Sequence, residues 1–146
     1  MPPTLSNIVK ALEPSATLAM AAKAKVLAAA GNTIYDLSVG EPDFTTPPHI
    51  CEAAFKAIRD GYTHYTAAGG IVELKKAVAE QYQKTHGLTY APQQVVISNG
   101  AKHAIHNAFT VLLNPGDEVI IPAPYWVSYA ELVKLTGATP TIVPTR

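Results

Sequence analysis

The sequence contains few charged residues, a single cysteine and no long apolar run. Only 15% of its 146 residues are charged, against roughly 25% in an average soluble domain, while 48% are hydrophobic. Such a chain has more apolar surface than its polar residues can cover. We therefore expect further residues or a partner subunit to bury part of that surface. Its eleven basic residues balance eleven acidic ones, which argues against binding to nucleic acid or to an anionic membrane surface.

The single cysteine, Cys51, cannot form a disulfide within the chain, which fits a reducing compartment. The alanine-rich stretch at 18–30 contains Lys23 and Lys25, so we interpret it as a helix and not as a signal peptide. No segment of the sequence reaches the roughly 20 apolar residues of a membrane span. These features predict a cytoplasmic protein that does not enter a membrane.

The first 45 residues are predicted to form an arm, a helix and a strand. Three prolines within residues 1–14 indicate an extended arm. Ser15 or Thr17 is expected to cap the alanine-rich helix, and Gly31 to end it. A short strand is predicted at 33–39, followed by a proline-rich loop at 40–48.

Residues 46–146 are predicted to alternate helices and strands. Thr46 is the expected N-cap of a helix closed by Gly61, and a second helix should run from Ile71 to Gly87. From residue 94 a β-α-β-α-β pattern follows, at 95–98, 101–113, 118–121, 126–135 and 139–143. This alternation predicts an α/β fold with a largely parallel sheet, whose ligands bind beyond the carboxyl ends of the strands. Because the chain stops soon after a core strand, we expect it to be truncated.

Two junctions between a strand and a helix carry candidate ligand contacts. At 98–102, a helix beginning at Gly100, Ala101 and Lys102 can present backbone N–H groups to a phosphate, although a tight turn would have the same sequence. At 124–129, Trp126 can stack on an aromatic ring or pack in the core. In a parallel sheet both junctions lie at one edge, so the two can share a ligand.

Three further features have a functional and an ordinary interpretation. Gly40, in the loop at 40–44, allows a ligand to approach the backbone closely, or it simply forms a turn. The hydroxyl of Tyr65 can face water, a partner chain or a ligand, or the ring can pack within its loop. His103 and His106 are too few to define a metal site, and no metal is predicted.

Taken together, these motifs resemble fold-type I, pyridoxal-phosphate-dependent aminotransferases of the aspartate aminotransferase group. The motifs are Pro-Ser-Ala-Thr at 14–17, Gly-Glu-Pro-Asp-Phe at 40–44, Tyr-Thr at 65–66 before Gly-Gly at 69–70, Asn-Gly-Ala-Lys at 99–102, Asn-Pro-Gly-Asp-Glu-Val at 114–119 and Pro-Tyr-Trp-Val-Ser-Tyr at 124–129. The resemblance covers nearly the whole chain. It implies that residues 1–45 belong to a small-domain and dimer-contact part, and residues 46–146 to an incomplete cofactor-binding large domain with three α/β/α layers.

The resemblance also implies roles for individual residues around pyridoxal 5'-phosphate. Trp126 would stack on the pyridine ring, and Tyr65 would reach the phosphate bound by the neighbouring subunit of a homodimer. The substrate would contact Gly40 and Trp126. Apart from the resemblance, Lys102 starts a helix beside the expected cofactor, so we also expect its side chain to direct a cation towards a distal carboxylate of the substrate. The phosphate would lie on the backbone of Gly100, Ala101 and Lys102.

The family's later motifs have no counterpart in this sequence, including the lysine that forms a Schiff base with the cofactor. Lys102 lies at the phosphate loop, and the other lysines fall on predicted helix surfaces, so no catalytic residue is assigned and the chain alone is expected to be inactive. The resemblance favours transfer of an amino group between aspartate and 2-oxoglutarate. Aromatic amino acids or prephenate remain alternatives, as do a carbon–sulfur lyase or cyclopropane-forming synthase of the same fold and a non-enzymatic sensor domain of a regulator.

Overall fold

The computed structural model describes residues 4–146, which form two compact units. The first unit consists of the residues up to Gly40 together with Gly100–Arg146, and the second of Glu41–Asn99. In the first unit the elements are α1 (Asn7–Lys10), α2 (Ala16–Ala29), α5 (Gly100–Leu112), β1 (Glu118–Ala123), α6 (Ser128–Lys134) and β2 (Thr139–Pro144). In the second they are α3 (Pro48–Arg59), α4 (Val72–His86) and a 3-10 turn at Pro92–Gln94.

The arm of the first unit is not wholly extended, so that prediction was wrong in part. Ser6 caps the one-turn helix α1 by accepting a hydrogen bond from the N–H of Val9 at 3.3 Å. Residues 1–3 of the predicted arm lie outside the described residues. Ser15, and not Thr17, is the N-cap of α2, because its Oγ accepts the N–H of Leu18 at 3.4 Å.

The strand predicted at 33–39 is absent from the described chain. The Asp36 carboxylate instead accepts hydrogen bonds from the N–H and the hydroxyl of Ser38, at 2.9 and 2.6 Å. These bonds fold the backbone into a local turn, which competes with extended pairing. The same bonds hold the pKa of Asp36 below its ordinary value.

The core of the first unit is a β-α-β crossover, as the sequence predicted. Strands β1 and β2 are parallel, with register from Glu118 opposite Thr139 to Ala123 opposite Pro144. Between them α6 buries Val133 completely. The surrounding apolar residues are Ile121, Ala130 and Ala138, with Phe109, Leu113 and Val119 packed against them.

Helix α6 is shorter than predicted, because residues 124–127 form a loop that precedes it. The Ala123–Pro124 peptide bond is cis, and the N–H of Tyr129 closes a turn on the carbonyl of Trp126 at 3.0 Å. A turn precedes β1, with the Asp117 carboxylate accepting the N–H of Asn114 at 2.7 Å. Thus the loop after β1, and not a helix, presents Trp126.

In the second unit both predicted helices are present, with one boundary corrected. Helix α3 follows Pro47 with Pro48 at its first position, so Thr46 is not the N-cap. Proline suits this position because its missing N–H would have no partner there. Helix α4 ends at Gly87, which adopts the left-handed conformation with φ of 69°.

The strand predicted at 95–98 does not belong to a sheet, because no described strand pairs with it. Its backbone is extended at Val95, and the N–H of Ile97 donates to the Gly69 carbonyl at 3.0 Å. That single bond brings Gly70, whose φ is 98°, against the Ile97 side chain. Over residues 4–146, helices fall short of the length and apolarity that a membrane crossing needs.

Candidate cofactor and substrate site

One hollow of the first unit has a volume of about 650 Å³, a size typical of small-molecule sites. It lies among the end of the arm, the start of α2, the first turn of α5 and the loop that joins β1 to α6. The polar and aromatic residues in its wall are Glu13, Ser15, Thr17, Lys102, Tyr125, Trp126, Ser128 and Glu131.

Two of these residues, Lys102 and Trp126, come from separate elements of the first unit. Trp126 follows the carboxyl end of β1, and Lys102 lies in the first turn of α5. The Trp126 side chain is 52% exposed, so a face of the indole is accessible to a planar ligand. A cation and an aromatic face thus border one hollow.

The first turn of α5 is built around Gly100. Its φ of 81° is one that L side chains rarely adopt, and no atom lies within 4 Å of the position a Cβ would occupy. The backbone N–H groups at the start of a helix lack intrahelical partners and favour anions. Open space at Gly100 and backbone donors at the helix start fit a phosphate group, and Trp126 borders the hollow that Lys102 lines.

Glu131 is the acidic group of the hollow for which contacts are clearest. Its Oε2 accepts the backbone N–H of Glu13 at 3.0 Å, and its Oε1 accepts Lys134 Nζ at 2.8 Å. Desolvation raises the pKa of Glu131, but the hydrogen bonds from Lys134 and Glu13, with the charge of Lys134, bring it below its ordinary value. The hydrogen bond to Glu131 in turn raises the pKa of Lys134.

The structure brings together some of the predicted site residues. Lys102 and Trp126 line the hollow. Gly100 and Ala101, which precede Lys102 in α5, do not line the hollow. Gly40 does not line it either, although its neighbour Val39 does. Tyr65 belongs to the second unit, where its side chain is fully exposed.

The two histidines of α5 form no metal site with other described residues. Across residues 4–146, no group of three or more histidine, cysteine, aspartate and glutamate side chains could hold a metal ion. His106 Nδ1 is buried without a hydrogen-bond partner among the described atoms. The roles predicted for the cofactor and substrate residues stay predictions.

Sequence reasoning gave no ligand role to several residues of the hollow, among them Ser15, Thr17 and Glu131. Ser15 and Thr17 belong to the Pro-Ser-Ala-Thr motif, which indicated a helix cap and the family resemblance but no contact with a ligand. Glu131 lies three residues before Lys134 on α6, a spacing that indicates an ion pair but not a contact with the arm. The motif could have signalled the two hydroxyls, whereas the sequence contained no signal for Glu131.

The family model described as aminotransferase class I and II matches residues 32–146. The chain belongs to this family. It is 50% identical to an aspartate aminotransferase of Bacillus subtilis and 51% identical to an aspartate/prephenate aminotransferase of Cereibacter sphaeroides. Each alignment covers 95% of this chain and 35% of the relative. The chain thus spans about a third of the length of the relatives it matches.

A solved member of the family has the same fold over this chain. The aspartate aminotransferase of Thermus thermophilus with maleate superposes with a TM-score of 0.93 at 44% identity, covering 99% of this chain and 38% of that structure. The fold class is therefore the α/β fold of fold-type I aminotransferases, as the resemblance implied, and the chain covers only part of it.

Proposed function

We propose that the protein containing this chain is a pyridoxal-phosphate-dependent aminotransferase that moves an amino group between aspartate and 2-oxoglutarate. The observation that carries the proposal is the meeting of Lys102 and Trp126 in one hollow of a class I and II family member. The names of relatives at about half identity support the choice of aspartate.

The cofactor would be held by residues of the first unit. The backbone of Gly100, Ala101 and Lys102 binds the phosphate through the first turn of α5, and Trp126 stacks on the ring. When bound, pyridoxal phosphate supplies an electron sink for the electrons released as the amino acid loses its α-proton. The chain's own contribution is to hold and orient that group.

The substrate would lie on the same hollow. The ammonium group of Lys102 and the hydroxyls of Ser15 and Thr17 border it, a donor set that suits the distal carboxylate of a dicarboxylic amino acid. A ligand can approach the backbone of Gly40 closely, because nothing lies within 4 Å of the position that a Cβ would occupy there. Gly40 would contact the substrate carboxylate.

We also infer a homodimer in which Tyr65 reaches the site of the neighbouring subunit. The complete exposure of its side chain in the second unit supports this role, because a phenol packed in its own loop would be covered. Light scattering of the full-length protein tests the dimer. A cytoplasmic location is inferred as well, supported by a lone Cys51 that fits a reducing compartment.

A second candidate substrate is prephenate. The Cereibacter sphaeroides relative, at 51% identity, is named an aspartate/prephenate aminotransferase. Prephenate and aspartate each carry a carboxylate besides the one next to the reacting carbon, so one cation at Lys102 could serve both.

The test is a coupled assay of the full-length protein with pyridoxal phosphate, aspartate and 2-oxoglutarate. Parallel reactions replace aspartate by tyrosine, and 2-oxoglutarate by prephenate. Release of oxaloacetate well above the rate with free cofactor is the expected result. Elimination of a sulfur-containing amino acid without any amino-group transfer would identify a lyase instead and refute the proposal.

A further inference from the structure

Glu131 joins two parts of the first unit that are far apart in sequence. Its Oε2 accepts the backbone N–H of Glu13, 118 residues away, and its Oε1 accepts Lys134 Nζ. Each carboxylate oxygen thus has its own donor, one from the arm and one from α6. A carboxylate bound on both oxygens has little freedom to rotate.

Helix α6 is a firm support for this carboxylate. Ala130, Leu132 and Val133, which flank Glu131, are all buried, Val133 completely. The Glu131 side chain is itself 26% exposed and lines the hollow. Because its neighbours are fixed in the core, the carboxylate has a set position at the edge of the hollow.

The partner of this carboxylate lies just before the hydroxyls of the hollow. Glu13 precedes the N-cap Ser15 by two residues, and Pro14 between them has a restricted φ. The Oγ of Ser15 then holds the first turn of α2 through the N–H of Leu18. Fixing the backbone at Glu13 therefore limits where the residues at 13–17, here called the arm segment, can lie.

We propose that Glu131 is a positioning residue that holds the arm segment in the wall of the hollow, so that Ser15 and Thr17 face the substrate. This inference rests on the proposed function, in which the hollow takes the substrate. Glu131 acts through the backbone of Glu13 and takes no part in the reaction. The ion pair with Lys134 keeps the carboxylate charged and aimed at the arm.

Three substitutions in the full-length protein separate these contacts. Glu131→Ala removes both hydrogen bonds, and Glu131→Gln keeps an oxygen that can accept the N–H of Glu13 while losing the ion pair. Lys134→Met removes the ion pair alone. The matched control is Glu80→Ala, which deletes an exposed glutamate from α4 in the second unit.

Two measurements are needed for each protein. Hydrogen exchange, followed by mass spectrometry on peptides containing residues 13–18, reports on the arm segment without any turnover. Steady-state kinetics then give kcat and KM for aspartate separately. A general loss of folding would increase exchange throughout the protein, whereas release of the arm segment would increase exchange there.

For Glu131→Ala we expect exchange in the arm segment and KM for aspartate each to rise about tenfold, with kcat changed less than about threefold, as for loss of one hydrogen bond to a charged group. Glu131→Gln should restore both values to within about threefold of wild type, and Glu80→Ala should match wild type. Lys134→Met should raise both values no more than Glu131→Gln does, because it removes the ion pair alone and leaves the acceptor oxygen for the N–H of Glu13.

Unchanged exchange in Glu131→Ala would overturn the proposal, and so would faster exchange with an unchanged KM. The proposal would also be overturned if exchange in the arm segment stayed as fast in Glu131→Gln as in Glu131→Ala, because the acceptor oxygen would then not be the group that holds the arm segment. If the wild-type protein does not transaminate aspartate while Glu131→Ala still loosens the arm segment, the proposed function fails and the positioning of the arm stands.

Discussion

Replacing Gly70 by alanine should lower the free energy of unfolding by about 3 kcal/mol. Gly70 has a φ of 98°, which L side chains rarely adopt, and such a backbone conformation costs on the order of 1–3 kcal/mol. A Cβ built there would lie 2.6 Å from Ile97 Cγ1 and 2.7 Å from Ile97 Cβ. An added methyl in a filled space costs about 1–3 kcal/mol. Taking about 1.5 kcal/mol for the backbone conformation and about 1.5 kcal/mol for the clash gives the expected loss of about 3 kcal/mol.

Ile97 has little freedom to relieve this clash. One of the two close atoms is its Cβ, which moves only with the backbone, and its N–H is bound to the Gly69 carbonyl at 3.0 Å. Its branched side chain also has few favourable χ1 rotamers. Moving Ile97 away would therefore break the bond that joins residues 69 and 97.

Urea unfolding, followed by circular dichroism, measures the effect, and Gly87→Ala is the matched control. Gly87 also has a positive φ, of 69°, but nothing lies within 4 Å of its Cβ position. It should therefore lose only the conformational part, about 1 kcal/mol. If Gly70→Ala proves no more destabilising than Gly87→Ala, the steric argument is refuted.

Three further predictions concern the site. Lys102→Ser should raise KM for aspartate more than KM for tyrosine, because it removes the cation that borders the hollow; equal losses would assign Lys102 to the cofactor alone. Tyr65→Phe should weaken cofactor affinity in a spectroscopic titration by roughly ten- to a hundredfold, since a hydrogen bond to a charged phosphate is worth about 1.5–3 kcal/mol; unchanged affinity would contradict this. Because folding lowers the pKa of Glu131, its ionised carboxylate should stabilise the folded protein fully at pH values above the ordinary pKa of 4.5. This contribution to the free energy of unfolding should be lost as the pH falls through the pKa of Glu131 in the folded protein. The groups facing the Glu131 carboxylate are Lys134 and Glu13, with Tyr125 near Lys134. If the stability difference between wild type and Glu131→Gln does not vary from about pH 7 to about pH 3, the lowered pKa of Glu131 is contradicted.

The elements that the sequence predicted well are those whose signals are local. Helix α4 has an apolar stripe and a terminal Gly87, and the β1–α6–β2 crossover has apolar runs separated by turn residues. The strands predicted at 33–39 and 95–98 were wrong because a strand exists only with a partner. At 33–39 Asp36 and Ser38 formed a local turn instead, and at 95–98 the described chain supplies one hydrogen bond, from Ile97.

The same distinction applies to the candidate site. Lys102 and Trp126 could be predicted because each lies beside the start of a helix that local residues mark, α5 for Lys102 and α6 for Trp126. Glu131 could not, since its contact with Glu13 spans 118 residues and involves a backbone N–H, which every residue except proline has. Side-chain identity carries no information about such a partner.

The parallel pair β1 and β2 also bears on how this protein is made in the cell. Among the described residues the sheet has two strands, so each strand has one outer edge whose backbone groups can pair with another strand. Ile120 is 69% exposed and Ile142 is 41% exposed, so the faces of the sheet are apolar as well as accessible. While these edges stand uncovered during translation, the pair can template association between nascent chains as well as accept a further strand. Chaperone supply should therefore affect the yield of this protein more strongly than its final stability would suggest.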